Sequence, residues 1–403
     1  MYNDYKPTYL IMVTNQNNNK FYNCFPEGDR FRVEYGRVDS TKTTLYYNKY
    51  DWDSKINSKL KKGYKDISQL KQELIEEIKP TAENYADVES EIVRKLISDL
   101  QRYSKEKINS SYSVKSSAVT NAMVEEAQNI INKLINIKTI NEFNSILVRL
   151  FAAIPRKMGN VKDYLAYKVE DIEKIIKREQ DLLDVLRGQI YIPNKTNSTS
   201  EENTSGINLG DLGLVIEEAT DEDIYQIKRH MGNCADKFKK AYRVINKETQ
   251  EKFDKFVKDN NIITKKLLFH GSRNENFWSI LKLGLKLRPA NAVITGKMFG
   301  YGIYFAPKCS KSIGYTSLRG SYWASGNSDK AYMAIFNVAY GNPYDVYDFN
   351  SKYHDLSYDK LQSFKTGATC LHAHSDKGML RNDEIVVYKE EQVTIKYLVE
   401  IGN

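Results

Sequence analysis

The sequence predicts a multidomain α+β protein in which a small antiparallel sheet and an α-helical bundle precede a mixed α/β domain with a large antiparallel sheet. The chain has 403 residues, of which 41% are hydrophobic, enough for about two or three separate cores. Short β-like runs fill the first and last parts of the chain, and segments with helical spacing lie between them.

The first eighty or so residues predict the small sheet. Asn, Gly and Asp turn residues separate four β-like runs: YLIMVTN (9–15), KFYNCF (20–25), RFRVEYGRV (30–38) and TTLYYNKY (43–50). An amphipathic segment from Ile67 to Ile78 follows, with Leu70, Leu74 and Ile78 at four-residue steps. This segment is expected to close the sheet.

The middle of the chain predicts a helical bundle of about 110 residues. Pro80 and Thr81 open it, and Thr139 is the expected N-cap of a helix that stops before Pro155. Apolar residues repeat at helical spacing in three stripes: Met123, Ala127, Ile130, Ile131 and Leu134; Ile140, Phe143, Ile146, Leu147, Leu150 and Phe151; Ile172, Ile175, Ile176, Leu182, Leu183 and Leu186. Such stripes are typical of a core or a partner face. PNKTNSTSEENTSGIN (193–208) is polar and predicts a linker.

Beyond the linker, β-like runs alternate with glycine turns and a few short helices, which predicts the larger domain. The runs are LVIEEA (214–219), KLLFHG (266–271), GIYFAP (302–307), YMAIFNVAYG (332–341), EIVVYKEEQV (384–393) and TIKYLVEI (394–401). A short helix is predicted in ENFWSILKLGL (275–285).

Charge and cysteine content restrict the classes of protein and partner. The 60 Lys and Arg outnumber the 52 Asp and Glu, which gives a net charge of +8. This excess fits a polyanionic partner and equally fits a solvated surface. The four cysteines form no Cys-x-x-Cys pair, which argues against a zinc finger and against a secreted disulfide scaffold. Without a long apolar window or a signal-peptide core, we expect a soluble intracellular protein and no membrane contact.

Four motifs in the last domain contain residues typical of ligand or catalytic sites. FHGSR sets His270 directly before Gly271, where the missing side chain leaves the backbone open to a ligand. Glycines and tyrosines are interspersed in TGKMFGYGIYFAPKCSKSIGY (295–315). Glu384 begins the apolar strand of RNDEIVVY, a position that costs energy unless a cation or a hydrogen-bond donor meets the carboxylate. CLHAH (370–374) contains a cysteine and two histidines.

Each motif alone also has an ordinary structural explanation. A histidine after a strand is more often a satisfied structural residue, and a glutamate at a strand end is usually solvated. The glycine-rich stretch is no phosphate loop, because it lacks Gly-x-x-x-x-Gly-Lys-Ser/Thr and Rossmann spacing. The function therefore has to be inferred from the order and combination of the motifs.

That combination resembles the catalytic domain of the poly(ADP-ribose) polymerases (PARPs). FHGSR is similar to the family's His-Gly-Ser-Arg segment, and the 295–315 stretch follows its TG-x-MFG-x-GIYFA…SKS…Y pattern nearly residue for residue. NDEIVVYKEEQVTIKYLVE resembles the family's C-terminal glutamate strand and its Gln-Val…Lys-Tyr-Leu tail, with Glu384 eight residues before Gln392. The resemblance implies an NAD-dependent ADP-ribosyltransferase.

The resemblance also implies a catalytic triad of His270, Tyr304 and Glu384. His270 would hydrogen-bond the adenosine-side ribose of NAD, and Glu384 the nicotinamide-side ribose. The implied NAD contacts are His270, Gly271, Ser272, Ser279, Lys286, Tyr304, Ser312 and Tyr315. Lys286 stands where the family often has Arg, and Ser279 where it often has Gly, so we expect contacts with NAD at these two positions that differ from the family's. No metal is expected, because CLHAH shows no fourth ligand.

The first domain, residues 1–82, resembles a WGR domain from NNNKFY through KKGYKDI, with Tyr35 in place of the name-giving Trp. The resemblance implies binding to DNA ends or nicks, and the DNA-contact candidates are Lys20, Tyr35, Gly36 and Arg37. A solvated basic face on a protein-docking domain is the alternative.

Residues 86–192 resemble the PARP helical regulatory domain, most clearly in FNSILVRLFAAIPRKMGNV and EDIEKIIKREQDLLDVL. The linker at 193–208 then leads into a catalytic domain at 209–403. The expected protein is a nuclear transferase that DNA breaks activate and that builds poly-ADP-ribose on protein acceptors, including itself. Single-unit transfer, or DNA-end binding by an inert fold, are the alternatives.

Overall fold

A computed structural model describes residues 5–71, 87–113, 119–190, 208–287, 298–377 and 380–403. The chain forms two compact units, one of residues 1–79 with 105–191 and the other of residues 80–104 with 192–403. The expected mixed α+β fold is confirmed. Four predicted segments lie outside the described residues: the end of the amphipathic segment 67–78, the start of the bundle at Pro80 and Thr81, the linker up to residue 207, and residues 295–297 of the glycine-rich stretch.

The first unit contains the predicted small sheet, in which every neighbouring pair of strands is antiparallel. The strand order is β4-β3-β2-β1-β5, and the elements are β1 (Thr8–Val13), β2 (Asn19–Glu27), β3 (Arg30–Arg37), β4 (Thr43–Asn48), α1 (Trp52–Lys61), β5 (Lys65–Asp66) and α2 (Ser68–Lys71). Trp52 and Ile56 of α1 are buried and pack with Phe31 and Val33 of β3. Alternation along β3 thus sends one set of side chains into this core.

Helices make up the rest of the first unit: the last residues of α3 (Glu91–Ser111), then α4 (Asn121–Leu134), α5 (Ile140–Ala153) and α6 (Val169–Ile190). The three predicted apolar stripes supply much of one shared core. Thr139 is the N-cap residue of α5, as predicted, although its side chain makes no capping hydrogen bond. The helix ends one residue before Ile154, whose backbone is extended because Pro155 follows it.

The second unit contains two sheets instead of one large sheet. The first has the order β6-β7-β14-β10-β8 and is antiparallel throughout, and the second has the order β11-β12-β13-β9. The strands are β6 (Leu214–Glu218), β7 (Phe238–Asn246), β8 (Lys265–Gly271), β9 (Ile303–Phe305), β10 (Lys330–Ala339), β11 (Pro343–Val346), β12 (Cys370–Ala373), β13 (Glu384–Val387) and β14 (Val393–Gly402). Only the β11–β12 pair is parallel among the described pairs.

Besides the N-terminal residues of α3, the described part of the second unit contains five α-helices: α7 (Asp221–Met231), α8 (Lys247–Asp259), α9 (Asn274–Leu283), α10 (Cys309–Ile313) and α11 (Tyr358–Phe364). The two sheets meet where Phe269 of β8 exchanges backbone hydrogen bonds of 2.9 and 3.0 Å with Ala306, just after β9. This junction brings the FHGSR motif next to the glycine-rich motif. Among the described residues, none of the helices is both long and apolar enough to span a bilayer.

Candidate active site

His270 is the second-last residue of β8, at the junction of the two sheets. Its Nδ1 lies 3.1 Å from the backbone oxygen of Tyr304. Burial lowers the pKa of His270, and the bond to the Tyr304 carbonyl opposes this in part. Because a carbonyl only accepts, the neutral ring carries its proton on Nδ1 and presents Nε2 as a hydrogen-bond acceptor.

Tyr304 lies in the middle of β9, and two backbone groups fix its hydroxyl. The hydroxyl donates to the Gly300 oxygen at 3.0 Å and accepts from the Phe299 N–H at 3.1 Å. Burial raises the pKa of Tyr304 well above its ordinary value, so the phenol is neutral at physiological pH. Gly300 has φ of +70°, and a Cβ there would lie 2.3 Å from the Leu356 nitrogen. Only glycine permits this turn.

Gly271 ends β8 in direct backbone contact with α10. A Cβ at Gly271 would lie 1.9 Å from the backbone oxygen of Ser312, so the absence of a side chain lets the strand end and the helix touch. Ser312 is buried, and Tyr315, two residues after α10, is partly exposed with its ring 6.1 Å from that of Trp323 at an interplanar angle of 16°. One side of the site is therefore built from backbone groups and the other from aromatic faces.

Gly271→Ala is expected to destabilise the protein at or above the upper end of the ~1–3 kcal/mol typical of overpacking, because the new methyl group meets backbone and not a mobile side chain. Thermal unfolding of the full chain measures the loss. Gly159→Ala is the matched control, since a Cβ there meets nothing within 4 Å. Equal unfolding temperatures for the two variants would contradict the close approach of β8 and α10.

Glu384 is the first residue of β13, which pairs with both β12 and β9. Its Oε1 accepts a hydrogen bond from Lys311 Nζ, and each of the two side chains is 14% exposed. Burial and, in second place, the Glu384 carboxylate raise the pKa of Tyr315, and the same carboxylate contributes to the raised pKa of Tyr304. The carboxylate thus lies within electrostatic reach of both tyrosines.

Lys311 was not among the residues singled out from the sequence. The requirement for a cation beside Glu384 was stated there, but 73 positions separate the two residues, and no local pattern connects them. A usable signal was the position of Lys311 directly before Ser312 in the SKS segment.

The comparison with known proteins assigns the family. A family model described as the poly(ADP-ribose) polymerase catalytic domain matches residues 221–403. The putative poly(ADP-ribose) polymerase-like protein 100L of Invertebrate iridescent virus 6 is 32% identical over 189 residues, which cover 46% of this chain and 96% of that protein. The chain belongs to the PARP family. It is accordingly an NAD⁺ ADP-ribosyltransferase, as the motifs predicted.

Two vertebrate PARPs match smaller shares of their own length. Poly(ADP-ribose) polymerase 2 of Homo sapiens is 34% identical over 157 residues, covering 34% of this chain and 26% of the human protein. Poly(ADP-ribose) polymerase 1 of Danio rerio is 24% identical over 336 residues, covering 75% of this chain and 30% of the zebrafish protein. The zebrafish match therefore extends beyond the catalytic range.

Three other expected NAD contacts lie directly after β8, on α9 and in the segment after α9. Ser272 accepts a hydrogen bond of 2.9 Å from Asn276, and Ser279 is buried within α9. Lys286 pairs with Glu390 at 2.9 Å. The contacts observed for these side chains are all within the protein, so their contacts with NAD stay predictions.

The four expected DNA contacts of this PARP lie at one end of the β2–β3 hairpin, where Lys20 pairs with Arg37 and Tyr22 with Tyr35. The Tyr35 ring lies 5.9 Å from Tyr22, and Gly36 lies between Tyr35 and Arg37 on β3. The Arg37 guanidinium donates two hydrogen bonds of 3.0 Å to Asn17 and one of 2.8 Å to the Gly159 oxygen. Within this unit, Arg37 therefore ties the sheet to the turn after α5.

Proposed function

We propose that this PARP-family protein transfers ADP-ribose units repeatedly and builds polymer on protein acceptors, including itself. The observation that carries the proposal is the Glu384 carboxylate at the start of β13, held by Lys311 within electrostatic reach of Tyr304 and Tyr315. A fixed carboxylate at this position can orient an acceptor hydroxyl as well as stabilise the donor sugar.

In the proposed mechanism, the flat nicotinamide ring stacks between Tyr304 and Tyr315. The backbone of Gly271 and the hydroxyl of Ser312 hold its carboxamide. His270 binds the adenosine-side ribose through Nε2, the nitrogen that the Tyr304 carbonyl leaves as an acceptor. These contacts fix the glycosidic bond relative to Glu384 before it breaks.

The role proposed for Glu384 follows from where charge develops. As the bond to nicotinamide breaks, the ribose becomes oxocarbenium-like, and a carboxylate beside it stabilises a positive charge that is present only in the transition state. Lys311 donates a hydrogen bond to this carboxylate and holds it at the start of β13. As nicotinamide leaves, the acceptor hydroxyl attacks the ribose carbon, and the hydroxyl proton is released to solvent.

We also propose that DNA breaks activate the enzyme through residues 1–82 as a WGR-like domain and residues 86–192 as a regulatory helical domain, with catalysis in 209–403. Such control goes with the expected nuclear location. The support is Arg37, whose bonds to Asn17 and Gly159 join the sheet to the helical part of the first unit. A phosphate that binds Arg37 would compete for these bonds. Activation requires that DNA bind two states of the protein with different affinity.

The DNA contacts are tested by two substitutions on the hairpin. Lys20→Gln removes an exposed charge and leaves the hydrogen bonds of Arg37 intact. A plot of the logarithm of DNA affinity against the logarithm of salt concentration is therefore expected to become less steep by about one unit, the contribution of one phosphate contact. Arg37→Gln is expected to weaken DNA binding and also to lower the unfolding temperature, because it removes the tie to Gly159. Lys174→Gln, an exposed change on α6, is the charge-matched control. A slope that Lys20→Gln leaves unchanged would place the DNA surface elsewhere.

The activity itself is tested by incubating the full chain with NAD, with and without nicked or blunt duplex DNA. Released nicotinamide and product size are measured together. Long products that depend on DNA support the proposal. Products of one unit would replace polymer formation by single-unit transfer, and release that is indifferent to DNA would remove the regulatory part. No release under any condition would indicate a DNA-end-binding scaffold.

A further inference from the structure

CLHAH takes part in a cluster that the sequence did not reveal. From the sequence we expected no metal, because Cys370, His372 and His374 lacked a fourth ligand. The structure separates the cysteine from the histidines: Cys370 is fully buried, with Sγ 3.3 Å from the Tyr340 oxygen. In its place, Asp345 of β11 lies directly opposite His372 in the parallel β11–β12 pair.

The donor atoms of Asp345, His372 and His374 lie within 4.8 Å of one another. Asp345 Oδ1 is 2.7 Å from His374 Nε2 and 4.0 Å from His372 Nδ1. A tetrahedral ion with ligand bonds of about 2.0–2.1 Å needs neighbouring donor atoms about 3.3 Å apart. One of the two observed distances is shorter than this separation and the other is longer. The two imidazole rings are 3.9 Å apart, on the same side of the strand. Small rotations would bring all three donors to one point.

A second carboxylate orients His372 as a ligand. Asp383 Oδ2 lies 3.2 Å from His372 Nε2, and Asp383 Oδ1 accepts hydrogen bonds from the N–H and hydroxyl of Ser375. A carboxylate that accepts from one ring nitrogen and leaves the other for the ion is the usual arrangement around metal-binding histidines. The Tyr340 hydroxyl is 2.8 Å from Nδ1, and an ion would replace that hydrogen bond.

We propose that Asp345, His372 and His374 bind a divalent transition-metal ion, with Zn²⁺ the best match to two imidazoles and one carboxylate. The ion would join β11, β12 and the segment that follows β12. His372 pairs with Ile385 and Ala373 with Glu384 across β12 and β13. Zinc would therefore stabilise the strand pair that presents Glu384.

The test uses the full chain after treatment with a chelator. It is titrated with ZnCl₂ and, separately, with MgCl₂, and bound metal is counted after desalting while thermal unfolding is recorded. We expect one Zn²⁺ per chain and a higher unfolding temperature, and no effect of Mg²⁺, which prefers oxygen ligands. His374→Gln and Asp345→Asn should each lower zinc affinity by about a hundredfold or more, since losing even a group that only orients a ligand costs about 10–100-fold.

His354→Gln is the matched control, because it removes an exposed histidine of the same unit outside the cluster. Zinc binding should be unchanged in it. Circular dichroism of each metal-free variant establishes that it is folded, and the exposed Asp345 gives the milder change should His374→Gln fold poorly. Absence of stoichiometric zinc, or equal affinity in wild type and both ligand variants, would overturn the site.

Discussion

Glu384→Gln is expected to lower the rate of ADP-ribose transfer by about a hundredfold or more and to abolish chain growth, while NAD binding stays largely intact. The amide keeps the size of the side chain but loses the charge that faces the oxocarbenium-like ribose. It also leaves Lys311 without its anionic partner in a position where both side chains are only 14% exposed. Nicotinamide release, product length and NAD titration measure the three effects separately.

The control for Glu384→Gln is Glu391→Gln, the same change at an exposed position of the same terminal segment. It should retain wild-type rate and product length. Thermal unfolding of both variants separates a lost catalytic group from a damaged fold. Long polymer made by folded Glu384→Gln protein would remove the proposed role of the carboxylate.

Arg156→Ala is expected to destabilise the first unit by about 3 kcal/mol, the lower end of the range for removing one member of a buried ion pair, because Glu179 keeps Arg178 as a second partner. Arg156 Nη1 lies 3.0 Å from Glu179 Oε2, and the two side chains are 5% and 2% exposed. The guanidinium also lies 4.8 Å from the centre of the Tyr112 ring. Urea unfolding of the full chain should show the first unit's transition at a lower urea concentration.

Arg178→Ala provides the comparison, because Arg178 binds the same carboxylate at 2.9 Å but is largely solvated. Its loss is expected to cost at most about 1 kcal/mol. The double variant Arg156→Met with Glu179→Leu should recover most of the stability, since no buried charge then lacks a partner and Arg178, which also loses Glu179, is 43% exposed to solvent. A similar loss for Arg156→Ala and Arg178→Ala would show that burial does not decide the strength of this pair.

Features that depend on local pattern could be predicted from the amino-acid sequence alone. Helical spacing identified the stripes of α4, α5 and α6, and the residue before Pro155 ended α5 where expected. Alternation identified the strands of the first unit. The order of FHGSR, the glycine-rich stretch and the glutamate strand identified the family. Helical spacing and alternation can be read from the sequence because they relate residues within a few positions of one another. The three motifs can be read because each is local and their order along the chain is given directly by the sequence.

Contacts between side chains that are distant in sequence became evident in the folded protein. Lys311 pairs with Glu384, and Arg37 donates a hydrogen bond to Gly159. Asp345, and not Cys370, lies beside the two histidines. The strands of the second unit belong to two sheets. One of these strands, β7, was not predicted, because its mixed charged and apolar residues show no clear alternation. Contacts of this kind depend on how strands pair and helices pack across tens of residues, and residue spacing does not record that.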